Sequence, residues 1–301
     1  IEKNKTLLEE VDDYIANELG LDISGRKGWG DSAPQYLKQF CSEKGLAIEI
    51  PGFKNIGYWF RPRVILELAI EKAAIEKVTD TDIRDFIFVA MSESIRLVSN
   101  RRNGEFKMFR MPAPKVLDFR PDVYGEFEKI STRNIEKMEE FVAKLNENGT
   151  IPQVSIFRNS ACTLEDVPDD TYDLIVTSPP YGDSRTTVAY GEYSRLSLQW
   201  INLDNLTEKE IMGVDKSLMG GKKYLNGFEL NLKSETLRAA LDKIKDEDLE
   251  RAGDVYSFYE DLDAAIKSSA QKTKKGGYHF WVVGNRTVKN ILLQTDVIIS
   301  E

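Results

Sequence analysis

The stretch YDLIVTSPPYGDSRTT, Tyr172 to Thr187, decides how this chain is read. Leu174, Ile175 and Val176 make a short apolar run bounded by polar residues, the pattern of a strand buried in a sheet. Two prolines and a tyrosine follow where the run ends. Proline has no N–H to give to a ladder, fixes its own φ and turns the preceding residue away from the helical region. The strand therefore leaves its sheet along a stiff, extended exit of Thr177, Ser178, Pro179, Pro180 and Tyr181, with carbonyls claimed by neither a ladder nor a helix. Ligands of open α/β sheets bind beyond the carboxyl ends of the strands. A row of acceptors beside an aromatic ring suits a planar heterocycle bearing an NH2 group, with Ser178 and the carbonyls accepting from the amine and Tyr181 stacking on the ring. A nucleobase has that chemistry.

Outward from this stretch the chain changes character. From about residue 151 onward, PQVSIFR, YDLIVTS and GGYHFWVVGNRT read as strands, the last starting at its Gly-Gly turn, and helical patterns at Glu192–Leu203, Glu235–Lys245 and Asp254–Lys274 lie between the second and third. Alternating strands and helices imply parallel pairing, so residues 151–301 are expected to be an α/β part. Residues 1–150 read as helical. NKTLLEEVDDYIANELG repeats apolar residues at Leu7, Leu8, Val11, Ile15 and Leu19 and ends at Gly20. Further helices are predicted over Arg63–Val78, after the capping pair Thr79 and Asp80, and over Val123–Leu145.

With 301 residues, 41% of them apolar and 10% aromatic, the chain has the material for a substantial core. No window reaches the roughly 18 apolar residues of a membrane span, and the start lacks the order of a signal peptide, so a soluble cytoplasmic protein with no membrane partner is expected. Two cysteines, Cys41 and Cys162, and the single histidine, His279, provide neither a disulfide framework nor a Cys/His metal cluster. No metal is expected. Cys162 reads as a small packing residue and His279 as a structural one. The net charge of −9 argues against indiscriminate wrapping of nucleic acid but leaves room for a local basic face.

DLIVTSPPYGDSRTT resembles the catalytic motif of the amino-methylating DNA methyltransferases, whose (Ser/Asp/Asn)-Pro-Pro-(Tyr/Phe) tetrapeptide is matched by Ser178, Pro179, Pro180 and Tyr181. PGFKNIGYWF, Pro51 to Phe60, is similar to a segment upstream of the motif in one branch of that family. TKKGGYHFWVVGNRTVKNILLQTD is similar to the branch's later turn, strand and Gly-Asn segment. The resemblance implies a Rossmann-like methyltransferase sheet, incomplete in this chain, with a helical N-terminal region. It also implies transfer of a methyl group from S-adenosylmethionine to an exocyclic amine of a base flipped out of double-stranded DNA, in a prokaryotic or phage restriction-modification setting with a cognate endonuclease. A first-position serine goes mostly with cytosine N4; adenine N6 is the alternative. A non-catalytic methyltransferase-like DNA-binding subunit, and an RNA or protein methyltransferase, also stay open.

On the cofactor side the resemblance points to Thr177 and Asn159. The family's glycine-rich turn, Asp-Pro-Phe-x-Gly-Ser-Gly, has no counterpart; GRKGWG, Gly25 to Gly30, follows no strand. A preceding segment or a second chain is expected to supply that turn. For DNA, SNRRNGEFKMFRMPAPK interleaves Arg101, Arg102, Lys107, Arg110 and Lys115 with Phe106 and Phe109 around an Asn-Gly turn. Arg185, Tyr190 and Arg195, just after the motif, are the other candidates.

Overall fold

The computed structural model describes Val11 and residues 33–105, 107–147, 149, 152–183, 187, 189–224 and 226–301. GRKGWG, most of the first predicted helix, Phe106 and Arg185 lie outside the described residues. The chain forms two compact units, Ile1–Pro152 with Glu192–Met212, and Gln153–Gly191 with Gly213–Glu301.

The first unit is helical: α1 (Ala33–Glu43), α2 (Ile56–Trp59), α3 (Pro62–Ile75), α4 (Thr81–Val98), α5 (Ala113–Asp118), α6 (Val123–Glu147) and α7 (Tyr190–Ile201), which contributes its residues from Glu192. Asp80 starts α4 by accepting from the backbone N–H of Asp82 and Ile83, both at 3.0 Å, as its position before the apolar pattern predicts. Pro62 opens α3, where the missing N–H is no loss. PGFKNIGYWF turns through Asn55 (φ 64°) into α2 and drives Phe53 and Phe60 inward. Both rings meet Trp200 edge to face, at centroid distances of 6.1 and 5.6 Å. Such pairs add about 0.5–1.5 kcal/mol each beyond their area burial. Leu37, Phe40, Ile65, Leu68, Met91 and Ile95 complete this core.

The second unit carries β1 (Tyr172–Thr177), α8 (Glu208–Ser217, from Gly213), α9 (Glu235–Glu247), α10 (Leu249–Lys272), β2 (Thr273–Trp281), β3 (Arg286–Val288), β4 (Ile291–Leu293) and α11 (Thr295–Ser300). Asp248 ends α9 and starts α10, accepting from the Arg251 N–H at 2.9 Å. That single reversal lays Leu237, Leu241 and Ile244 against Val255, Phe258 and Leu262. β1 and β2 pair in parallel, with Leu174 opposite Tyr278 and Thr177 opposite Trp281. β3 and β4 form an antiparallel hairpin.

Two readings of the sequence change here. PQVSIFR is not a strand: its residues from Pro152 are irregular, and Ile156 is 92% exposed. Its alternation fits a strand, but no neighbouring strand pairs with it among the described residues. The Gly-Gly pair does not begin β2 either. The strand starts at Thr273, and Lys274 to Gly277 bulge out opposite the single residue Asp173, with Lys274 Nζ 2.9 Å from its carboxylate.

The β1–β2 sheet has two unlike faces. Ile175, Thr177, His279 and Trp281 are partly buried, and Trp281 packs on the α9–α10 core. His279 Nε2 lies 2.7 Å from the Thr273 hydroxyl, a structural contact. On the other face Leu174, Val176, Tyr278, Phe280 and Val282 are all exposed. No described helix is long and apolar enough to cross a membrane, and no metal-binding group of three or more side chains occurs among the described residues.

Candidate active site

The carboxyl ends of β1 and β2 lie side by side. The Val282 N–H donates to the Thr177 carbonyl at 2.9 Å, the last rung before the prolines end the ladder. Ser178 then stands exposed, Pro179 turns into the protein and Tyr181 comes back to the surface. The Ser178 and Tyr181 hydroxyls are 3.4 Å apart. Tyr181 rests on the chain that leaves β2: a Cβ added to Gly284 would stand 3.3 Å from ring atoms Cγ and Cδ1. The ring thus has backbone at its side and is 48% exposed.

A buried ion-pair network fixes the loop beyond it. Asp183 is fully buried, and its Oδ2 lies 3.2 Å from Arg251 Nη1 of α10 and 3.3 Å from Arg286 Nη1 of β3. Arg286 also donates to the Thr187 hydroxyl at 2.7 Å and sets its guanidinium 5.4 Å from the Phe258 ring centroid. Arg251 has a second acid, Asp254, at 3.3 Å, so two guanidiniums face two carboxylates. Burial lowers the Arg286 pKa, opposed by the attraction of Asp183. Removing one member of such a network strands its partner's charge at a cost of about 3–5 kcal/mol. A Cβ on Gly182 would fall 1.8 Å from Arg286 Nη1, so a side chain there would displace the guanidinium from Asp183.

None of Gly182, Asp183, Arg251, Gly284 and Arg286 is singled out by sequence reasoning. The only local signal is that Gly182–Asp183 and Gly284–Arg286 lie inside two of the three stretches that carry the resemblance.

The other candidates are dispersed. Asn159 is committed to its own turn, its Oδ1 accepting from the Ser160 N–H at 2.9 Å and its Nδ2 reaching Asp166 at 3.2 Å. The Thr177 carbonyl is held by Val282. Among the described residues, these groups do not form a cradle for an adenosyl or methionine moiety, and S-adenosylmethionine does not fit them as they stand. Tyr190 is exposed at the start of α7 in the second unit. Arg195 belongs to the first unit, with a buried Nε that has no partner among the described residues. Arg101, Arg102, Lys107 and Arg110 also belong to the first unit, on a hairpin-like loop closed by an Arg101–Arg110 bridge, where the Asn-Gly turn predicts a reversal. Arg110 is part of that scaffold: its Nε donates to the Tyr58 carbonyl at 2.8 Å and its guanidinium stacks on the Tyr58 ring.

No protein-family model and no solved structure matches the chain. The chain is 41% identical over 258 residues to the Type II methyltransferase M.MvaI of Kocuria varians. The alignment takes in 84% of this chain and 57% of that protein, so the chain spans little more than half the length of the curated relative it matches. The proline exit of β1 and the network behind it thus belong to a chain similar, over most of its own length, to a Type II methyltransferase.

Proposed function

We propose that this protein is a site-specific DNA methyltransferase, using S-adenosylmethionine as methyl donor and an exocyclic amine of a flipped base, cytosine N4, as acceptor. The observation that carries this reading is the exposed Ser178 and Tyr181 pair at the carboxyl end of a parallel strand, on a loop anchored by Asp183. The similarity to M.MvaI supports it. A base stacked in duplex is out of reach and must be turned into a pocket, at a cost of a few kcal/mol recovered by stacking and hydrogen bonds. Tyr181 is the stacking platform. The Ser178 hydroxyl and Pro179 carbonyl accept from the amine, whose lone pair is otherwise delocalised into the ring, and hold the nitrogen in a more pyramidal form. Catalysis by these residues is orientation and electrostatic placement, with no covalent enzyme intermediate.

In this reading, residues 1–150 serve DNA recognition and 151–301 carry the catalytic strand. Arg185 and Tyr190 contact DNA next to the flipped base, Arg195 contacts DNA from the first unit, and a cognate restriction endonuclease is the biological partner. The donor's glycine-rich turn comes from polypeptide that docks on the unpaired edge of β1 and the open apolar face of its sheet. Nucleoside digestion and mass spectrometry of DNA treated with the protein together with a segment carrying the glycine-rich turn test the reading. N4-methylcytosine is expected; N6-methyladenine overturns the base assignment, and DNA without any methylated nucleoside overturns the activity.

A further inference from the structure

Arg101 is a buried cation without an acid. It is 1% exposed, yet no carboxylate lies within ion-pair distance among the described residues, and its Nε and Nη1 have no hydrogen-bond partner. Only Nη2 is satisfied, by the Glu105 carbonyl. Its charged neighbour Arg96 is another cation: the two guanidiniums stand 4.4 Å (Arg96) and 5.2 Å (Arg101) from the centroid of the Tyr193 ring. Burial first and Arg96 second draw the Arg101 pKa down, as expected for a charge with no counterion. Taking a guanidinium out of water without an opposite charge is strongly unfavourable, and an arriving anion would relieve that cost.

Arg101 borders a cavity of about 460 Å³ lined also by Arg102, Asn103, Met111, Pro112 and Lys115, three cations and no acid. The walls are rigid where they must be. The Arg102 N–H donates to the Phe109 carbonyl at 2.8 Å, the Met111 N–H to the Asn100 carbonyl at 2.7 Å, and the Asn103 amide to the Leu97 carbonyl at 3.2 Å. Arg102 and Lys115 are exposed, and the one acid near Arg102, Glu105, is a loose partner at 3.5 Å between two solvated side chains. An incoming oxyanion displaces it with little loss.

We propose that this cavity is a seat for a phosphate oxyanion, supplied by one phosphodiester of the DNA backbone, with Arg101 as its buried anchor and Arg102 and Lys115 as its rim. The source of the phosphate rests on the DNA reading above; the anion site rests on the uncompensated guanidinium. A backbone contact of this kind fixes the register of the protein on the duplex and carries no sequence preference.

The test is equilibrium binding of the protein to a fluorescently labelled duplex across a sodium chloride series. Loss of one phosphate contact makes the slope of log K against log salt shallower by about 0.9, or roughly eightfold weaker binding at 0.1 M salt. Arg102→Ser with Lys115→Ser is expected to show this change equally on specific and scrambled duplexes, whereas Lys129→Ser with Lys137→Ser, exposed on α6 and outside the cavity lining, shows none. Arg101→Met is expected to weaken DNA binding in the same way while raising the melting temperature of the free protein, since it removes a stranded charge. An unchanged salt slope in the rim variant, or an equal change in the α6 variant, overturns the seat. Inorganic phosphate, compared with chloride at equal ionic strength, separates the sources: thermal stabilisation that the rim variant loses, with an unaltered DNA slope, overturns the phosphodiester in favour of free phosphate. Methylation by the unaltered protein is followed on the same duplex. With a segment carrying the glycine-rich turn supplied, a shallower rim-variant slope without methylation supports the seat and sinks the methyl-transfer reading, whereas methylation with an unaltered slope sinks the seat alone.

Discussion

Tyr181 holds its ring upright against the backbone at Gly284 and spends its hydroxyl only on a 3.4 Å contact with Ser178. A stacking platform needs the ring and not that contact. Base–aromatic stacking amounts to about 1–3 kcal/mol, so Tyr181→Ala is expected to lower kcat/KM for methylation roughly 10- to 100-fold, and Tyr181→Phe by no more than about threefold. Steady-state assays on a saturable duplex decide it, and equal losses in the two variants contradict the platform. The tyrosine is legible in the sequence because proline, tyrosine and the preceding apolar run are neighbours in the chain. The ion pairs that anchor its loop are not: Asp183 reaches Arg251 and Arg286 across 68 and 103 positions, and no spacing rule connects them.

At the scale of an element, α3 carries an acid that its helix buries. Glu71 is 5% exposed, neither of its carboxylate oxygens has a hydrogen-bond partner among the described residues, and Glu67 lies one turn before it. Burial and then the Glu67 charge push the Glu71 pKa up from 4.5 to about 8. Arg63 is no remedy, because its Nε is engaged with Glu67 at 3.0 Å, and Tyr124, packed nearby, is itself raised by burial and by both acids. The folded protein therefore keeps a proton that the unfolded chain gives up. That contribution to stability is fully present below about pH 4.5 and is lost as pH rises through about 8. Glu71→Gln, which mimics the protonated acid, is expected to be more stable than the unaltered protein at pH 9 by on the order of a few kcal/mol and to match it at pH 5. Urea unfolding at the two pH values measures this, and parallel curves at both would show that Glu71 is ionised in the fold. Long helices such as α4 and α6 announce themselves because their apolar period runs for several turns. PQVSIFR misleads because alternation states which side chains share a face and not whether a partner strand is present, and short pieces such as β3, β4 and α11 carry too few residues to show a period.

Over the whole molecule, the sheet has more apolar surface than the described chain covers. Leu174, Val176, Tyr278, Phe280 and Val282 share one face, and β1 has a single neighbour among the described strands. Two parallel strands open on one side are far from the covered sheets in which parallel pairing is normally stable. With Asn159 and Thr177 committed elsewhere, the chain alone is expected to bind S-adenosylmethionine weakly or not at all, and to gain affinity together with protection of this face when a segment carrying the glycine-rich turn is added. Isothermal titration calorimetry of the 301-residue chain checks the first half. Micromolar binding without any addition would show a complete pocket built from other residues, GRKGWG being the first to test.

The grip of Arg286 on Asp183 also has a consequence in time. At about 5–20 residues per second on the ribosome, Arg286 is synthesised roughly 5–20 s after Asp183. Until then the loop bearing Ser178 and Tyr181 lacks its final counterion, and for most of that interval it also lacks β2 beside it, so this edge takes its shape only once β3 has been made. A polypeptide interrupted anywhere between Tyr181 and β3 would carry the whole proline motif and still lack the arginine that holds it in place.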